Sequence, residues 1–199
     1  MHMPTRPALL ILTTLVVLLD TAPQYSGIVR TPPPVLDRTK LPDVADGGTP
    51  TALRGAGTDG ILLVYFGFTR CPDVCPTTLA DLRTALKPLP PELRNRITVA
   101  MVTVDPERDT PKMLTNYLRS FFPDGIPLRT TDTATLDQVV KDFAAAYKVT
   151  KNADGKVDVV HSAFLYAIGP DGRLIVQWPF GTTSDVMNHD LRIALDAVG

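Results

Sequence analysis

The feature that most limits the fold of this sequence is a continuously apolar run that is closely followed by the only two cysteines of the chain. Residues 61–68 read Ile-Leu-Leu-Val-Tyr-Phe-Gly-Phe, and Cys71 and Cys75 follow within Arg-Cys-Pro-Asp-Val-Cys-Pro. A run this apolar predicts a strand in the middle of a sheet that is covered on both faces. Pro76 and the helical spacing of the leucines after it predict that a helix follows. The two thiols therefore lie where a central strand passes into a helix.

The rest of the pattern predicts further strands and helices around that strand. A second buried strand is expected at residues 97–104, and two strands within 163–178 flank a Gly-Pro-Asp-Gly turn. Helices are predicted at residues 76–87, 110–121, 132–147 and 184–197. This order predicts an α/β fold with a central mixed sheet flanked by helices. Cysteines placed after the first central strand, at a helix N-terminus, are typical of the thioredoxin-like fold.

The chain divides into three segments. Residues 1–20 are predicted as a signal peptide or a short membrane anchor, since the uncharged stretch 8–19 would span only about 18 Å as a helix, which is short for a bilayer. Residues 21–46 are predicted as a Pro-rich tether that leads into an edge hairpin. Residues 47–199 are predicted as the folded domain. A net charge of −1 gives no electrostatic reason to expect nucleic acid as a partner.

The cysteine pair indicates reactive or metal-binding thiols. Cys75 is predicted as the N-cap ahead of Pro76, and Arg70 lies beside Cys71, so both thiols are expected to ionise more readily than a free cysteine. Redox pairs of the thioredoxin type have two intervening residues, whereas this pair has three. That spacing favours a metal but leaves a redox disulfide open. A disulfide that merely staples so short a loop would contribute only about 2 kcal/mol.

A metal site needs a third ligand, and the chain has three histidines. His2 lies in the leader, and His189 is predicted as a solvated residue of the final helix. His161 lies just ahead of the strand that begins at Ala163, and in a thioredoxin-like fold this part of the chain passes beside the cysteine loop. Two thiolates and one imidazole suit Cu(I), and such a set also binds Cu(II) or Zn(II).

Three separate motifs resemble one known family. They are residues 65–76, which contain both cysteines, residues 103–111, which read Thr-Val-Asp-Pro-Glu-Arg-Asp-Thr-Pro, and His161 ahead of residues 165–172. Together, and in this order, they look like the Sco/SenC family of copper chaperones. The resemblance covers residues 53–195 and implies a thioredoxin-like copper-binding domain. It also implies that Cys71, Cys75 and His161 are the copper ligands.

The resemblance further implies a role in assembling the binuclear copper site of cytochrome c oxidase. The expected partners are the copper-bearing subunit of that oxidase and another copper chaperone. The expected location is extracytoplasmic, in the periplasm or on the outer face of the cell membrane, with the N-terminal segment as an anchor. Residues 105–111 match the family's loop, and we hold a purely structural role and a partner-docking role for this loop equally open.

Two alternatives to a copper chaperone use the same cysteines. The first is an extracytoplasmic thiol–disulfide reductase that keeps the target's copper-site cysteines reduced, with Cys71 as the attacking thiol. The second is a peroxidase of the peroxiredoxin type, which would need a threonine three residues before the attacking cysteine. Thr69 lies two residues before Cys71, which argues against the peroxidase. The prediction is thus an assembly factor rather than an enzyme with turnover.

Overall fold

The computed structural model describes residues 24–199. The predicted signal peptide or anchor at residues 1–20, and His2 within it, lie outside the described residues. Within the described part of the chain, no helix is both long and apolar enough to cross a membrane.

Nine strands and five helices follow one another along the described chain. They are β1 (Lys40–Asp43), β2 (Thr49–Ala52), β3 (Ile61–Gly67), α1 (Val74–Leu86), α2 (Pro91–Arg94), β4 (Ile97–Thr103), α3 (Pro111–Arg119), β5 (Ile126–Leu128), α4 (Thr133–Asp142), β6 (Tyr147–Lys151), β7 (Val157–His161), β8 (Phe164–Ile168), β9 (Leu174–Pro179) and α5 (Ser184–Val198).

Seven strands form one mixed sheet in the order β2-β1-β5-β4-β3-β8-β9. The strands β3, β4 and β5 are parallel, whereas β8 runs antiparallel to β3. Every residue of β3 is buried, as its unbroken apolar sequence predicts. The predicted α/β fold with a central mixed sheet and flanking helices is therefore confirmed, and β3 lies inside the sheet, between β4 and β8.

Helices cover both faces of this sheet. On one face α1 packs against α5, and the side chain of Tyr65 points toward α1. Neighbouring residues of a strand face opposite sides of a sheet, so Phe66 points the other way. There it meets Phe143, which follows α4, with ring centroids 5.0 Å apart. This double cover buries the strand that leads to the cysteines.

The part of the chain predicted as a tether is in contact with the sheet. Ile28 and Val35 form isolated bridges to Gln177 and Arg173, and Leu36 and Leu41 are buried. The predicted edge hairpin is present as β1 and β2, and β1 falls within the segment assigned to the tether. Single bridges and scattered leucines leave no periodic pattern, so the sequence analysis did not detect this packing.

The helix predicted at residues 132–147 is wrong in its last turn. The helix α4 ends at Asp142, Ala144 takes a left-handed φ of 50°, and β6 begins at Tyr147. The N–H of Ala145 donates to the carbonyl of Val140, which closes a Schellman-type helix end. Glycine normally marks such an end, so a run of alanines hid it. The sequence analysis also missed α2, β5 and the two-stranded ribbon β6–β7.

Candidate functional site

The loop between β3 and α1 places the two cysteines differently from the prediction. The N-cap of α1 is Asp73, so Cys75 lies inside the first helical turn and is fully buried, while Cys71 precedes the helix and is half-buried. The backbone N–H of Cys75 donates to Cys71 Sγ at 3.3 Å. A free N–H group at the start of α1 thus donates to the sulfur of Cys71, and not to that of Cys75.

His161, the last residue of β7, completes the cluster as predicted. Its Nε2 lies 3.5 Å from Cys75 Sγ, and the ligand atoms of Cys71, Cys75 and His161 all lie within 4.8 Å of one another. The ribbon β6–β7, in which Tyr147 pairs with His161, carries the imidazole to the cysteine loop. His189 is exposed on α5, again as predicted.

The tautomer of His161 suits metal binding. Its Nδ1 lies 3.1 Å from the carbonyl oxygen of Ser162. A carbonyl can only accept a hydrogen bond, so Nδ1 carries the proton and the lone pair of Nε2 faces Cys75. Burial lowers the pKa of His161, with the Ser162 hydrogen bond opposing it. The imidazole is therefore held neutral, the form that binds a metal.

The spacing of the three ligand atoms fits one metal ion. With metal–sulfur bonds of about 2.3 Å and metal–nitrogen bonds of about 2.0 Å, a trigonal ion puts sulfur and nitrogen about 3.7 Å apart and two sulfurs about 4.0 Å apart. The observed 3.5 Å between Cys75 Sγ and His161 Nε2, and the 4.8 Å limit for the whole set, lie close to these values. The donor set can close on an ion with small side-chain movements.

The expectation that both thiols ionise readily is wrong for Cys75. Burial, and to a lesser extent a hydrogen bond with Cys71, raise the pKa of Cys75 from 9.0 to about 12. The cause is the position of Cys75 in the helix, which removes its sulfur from water and from the free helix N–H groups. Without a metal, Cys75 is a neutral thiol at neutral pH, so a metal must displace its proton.

A glycine and two aromatic rings shape the space around the ligands. The rings of Tyr65 and Phe68 meet the imidazole of His161 edge-on, at 6.1 and 5.8 Å. A Cβ added at Gly67 would lie 3.1 Å from Cys75 Sγ, so only glycine leaves room for this sulfur. The sequence analysis did not single out Gly67, although a glycine inside an apolar strand signals a close approach of this kind.

The second motif, residues 103–111, supports the cysteine loop through hydrogen bonds. The buried carboxylate of Asp109 accepts hydrogen bonds from the backbone N–H of Thr69 at 3.0 Å and from the hydroxyls of Thr69 and Thr103 at 2.6 Å each. The guanidinium of Arg129 donates to the carbonyls of Pro106 and Asp109. These contacts give the loop the structural role that we had held open. The role of Arg129 was not predicted, because it lies outside all three motifs.

Other charges of this motif are also paired within it. Arg108 forms an ion pair with the buried carboxylate of Asp105. The Thr110 side chain accepts a hydrogen bond from the N–H of Met113 and caps α3, as the Thr-Pro pair predicts. The motif therefore holds its own loop together as well as the cysteine loop.

Comparisons with known proteins agree with this geometry. A family model described as SCO1/SenC matches residues 52–196. Protein sco1 of Schizosaccharomyces pombe is 34% identical over 126 residues, which cover 62% of this chain and 48% of that protein. The chain spans about half the length of the curated relatives it matches.

Solved structures give the same result. Apo Sco1 of Thermus thermophilus matches with a TM-score of 0.70 and 32% identity, over 88% of this chain and 98% of that one. ScoI of Bradyrhizobium japonicum with copper bound matches with a TM-score of 0.64 and 30% identity, over 77% of this chain and 95% of that one. These neighbours bear out the thioredoxin-like fold and the resemblance found in the three sequence motifs. Since the family model matches most of the chain, the chain belongs to the SCO1/SenC family.

Proposed function

We propose that this chain is a copper-binding metallochaperone for assembly of the binuclear copper site of cytochrome c oxidase. The observation that carries this proposal is the cluster of Cys71, Cys75 and His161, whose ligand atoms lie within 4.8 Å of one another. Two thiolates and one imidazole form a soft donor set that suits Cu(I) and also accepts Cu(II). The similar ScoI of Bradyrhizobium japonicum has been solved with copper bound, which supports copper as the metal.

The unequal burial of the two sulfurs suits a metal that is handed on. Cys71 is half-buried and Cys75 is fully buried. An incoming thiolate of a partner can reach the ion from the side of Cys71 and replace that ligand first. Cys75 and His161 then hold the ion until further partner ligands displace them. Each exchange breaks one metal–ligand bond and forms another, and the oxidation state of copper does not change.

The proposed acceptor is the copper-bearing subunit of cytochrome c oxidase, and the proposed donor is another copper chaperone. The proposed location is extracytoplasmic, in the periplasm or on the outer face of the cell membrane, with residues 1–20 as the means of export or attachment. A human relative, 36% identical over 121 residues, is named a mitochondrial SCO1 homologue, which supports a location outside the cytoplasm.

A transfer experiment tests this function. Copper-loaded protein is mixed with the metal-free, reduced copper-bearing domain of the oxidase subunit, the two are separated, and copper is measured in each. We expect copper to move to the acceptor from the wild type and from the matched control His189→Ala, whose histidine is exposed on α5. Copper that stays with this chain would contradict the proposal.

The same proteins test the reductase alternative. Metal-free, reduced chain is mixed with the acceptor domain in its disulfide form, and free thiols are counted on each protein. A reductase would transfer two electrons to the acceptor disulfide and form a Cys71–Cys75 disulfide in return. This reaction needs no imidazole, so it leaves His161 unexplained. The proposed function therefore predicts slow exchange here and fast copper transfer in the first experiment.

A further inference from the structure

One buried hydroxyl beside the metal ligands makes no hydrogen bond of regular geometry, although Cys75 and Thr78 lie within its reach. Tyr65 on β3 is 0% exposed, and its hydroxyl has no hydrogen-bond partner among the described residues. Buried tyrosine hydroxyls usually find a partner, because an unpaired polar group away from water is costly. Such a group in the middle of the central sheet calls for a specific explanation.

The ring of Tyr65 lies beside two of the three candidate ligands, Cys75 and His161. It meets the imidazole of His161 edge-on, with centroids 6.1 Å apart. A Cβ atom added to Gly67 would lie 2.8 Å from Tyr65 Cε1 and 3.1 Å from Cys75 Sγ. The edge of the tyrosine ring and the sulfur are therefore close neighbours. Burial, then the charge of a Cys75 thiolate and a hydrogen bond to it, raise the pKa of Tyr65, which keeps the phenol a protonated donor.

Thr78, one turn further along α1, is the other polar side chain near the phenol. Its hydroxyl already donates to the carbonyl of Val74 at 2.8 Å. The Thr78 oxygen can still accept a hydrogen bond, so it competes for the proton of Tyr65. The sulfur of Cys75 is a weak acceptor as a thiol and a strong one as a metal-bound thiolate.

We propose that the Tyr65 hydroxyl is a positioning donor that hydrogen-bonds Cys75 Sγ when the cluster holds copper, and so stabilises the thiolate ligand. This inference rests on the proposed copper site. In the metal-free protein the Tyr65 hydroxyl makes no regular hydrogen bond, because the sulfur of a neutral thiol is a weak acceptor. Copper removes the thiol proton to solvent, and the sulfur becomes the partner that the hydroxyl lacks. Part of the free energy of copper binding then comes from satisfying this group.

Tyr65→Phe removes the hydroxyl and keeps the ring. Tyr166 provides a matched control, because its hydroxyl is also buried without a partner on the adjacent strand β8, and its ring packs on Phe66 and Phe143, on the other face of the sheet. Thr78→Val removes the competing acceptor. Melting temperatures of the metal-free proteins are measured first, and we expect Tyr65→Phe to be at least as stable as the wild type, since no hydrogen bond is lost.

The decisive readouts are the copper affinity by ligand competition and the energy of the thiolate-to-Cu(II) charge-transfer band. We expect Tyr65→Phe to bind copper about 10-fold more weakly, as is typical when a group behind a ligand is removed. The band should move to longer wavelength, because a sulfur without its hydrogen bond gives up charge more easily. Tyr166→Phe and Thr78→Val should match the wild type, and the copper-induced rise in melting temperature should shrink only in Tyr65→Phe.

Other outcomes separate this inference from the proposed function. Copper binding by the wild type, with the same affinity and band in Tyr65→Phe, would overturn the inference and leave the copper site intact. The inference would also be overturned if Thr78→Val reproduced the effect of Tyr65→Phe, because the Tyr65 hydroxyl would then be hydrogen-bonded to Thr78 rather than to Cys75. A wild type that binds no copper would overturn both.

Discussion

Asp109 lies forty residues after Thr69 in the chain, and its carboxylate accepts hydrogen bonds from both the backbone N–H and the hydroxyl of Thr69. Thr69 lies two residues before Cys71, so a buried carboxylate of the second motif fixes the start of the cysteine loop. The loop that follows β3 is thereby held by a side chain that follows β4. The geometry of the metal ligands depends on this contact between two distant motifs.

Replacing Asp109 with Asn is expected to loosen the cysteine loop. Both oxygens of the carboxylate accept hydrogen bonds, whereas the amide of Asn has only one oxygen and places an NH₂ group against the remaining donors. A buried polar group left without a partner costs about 1–3 kcal/mol of unfolding free energy. Chemical denaturation should show this loss of unfolding free energy, and copper competition should show about 10-fold weaker binding. The exposed Asp124→Asn is the control and should change neither value. An Asp109→Asn protein with wild-type copper affinity would argue against loop support.

Replacing Gly67 with Ala is expected to disturb the sulfur of Cys75 directly. The added Cβ would lie 2.8 Å from Tyr65 Cε1 and 3.1 Å from both Cys75 Sγ and Met101 Cε. Overpacking of this kind costs about 1–3 kcal/mol, and the displaced sulfur should also weaken copper binding. At Gly169 a new Cβ would meet only the side-chain ends of Asp171 and Ile175 within 3.5 Å, so Gly169→Ala serves as the control. Equal copper affinity in the two variants would contradict the close packing at Gly67.

The reduced, metal-free protein is expected to lose stability at alkaline pH through Cys75. Burial raises the pKa of Cys75 from 9.0 to about 12, so the folded state keeps the proton that the unfolded state releases. The resulting stability is complete below pH 9 and is lost as the pH rises from 9 toward about 12.

Denaturation under reducing conditions between about pH 8 and 10 measures this loss, which approaches about 1.4 kcal/mol per pH unit. The buried tyrosines ionise near pH 10.0 in the unfolded chain and at higher pH in the folded one, so they add to the loss of stability at the top of this range in the wild type and in Cys75→Ser alike. Cys75→Ser lacks the buried thiol and keeps that of Cys71, so its unfolding free energy should fall less steeply with pH. Parallel slopes for the wild type and Cys75→Ser would show that Cys75 ionises normally.

Asp190 is expected to hold the start of the described chain to the domain. Its buried carboxylate accepts hydrogen bonds of 2.8 Å from the backbone N–H groups of Ser26 and Gly27 and from Trp178 Nε1. Asp190→Asn should lower the unfolding free energy by about 1–3 kcal/mol and shift the fluorescence of Trp178. Asp196→Asn on the same helix is exposed and should do neither. An unchanged melting temperature in Asp190→Asn would refute this role.

The strongest sequence patterns predicted the centre of the fold. The strand β3 is confirmed because its apolar run is buried on both faces, and His161 was placed correctly because fold and motif agreed. The sequence could not show that Cys75 enters the helix or that Asp109 reaches Thr69, since both depend on how distant segments pack. Nor could it show the end of α4, where Ala144 takes a conformation usually left to glycine. The motifs and the fold predicted that Cys71, Cys75 and His161 lie together, and tertiary packing determined the burial that raises the pKa of Cys75.

The central claim is that Cys71, Cys75 and His161 bind one copper ion. The most direct test is copper stoichiometry with the absorption spectrum of the reduced protein without residues 1–20, compared with His161→Ala and the control His189→Ala. The account predicts one copper per chain and a thiolate-to-Cu(II) band that is kept in the control and lost in His161→Ala. Either a wild type without copper or an unchanged band in His161→Ala would contradict it.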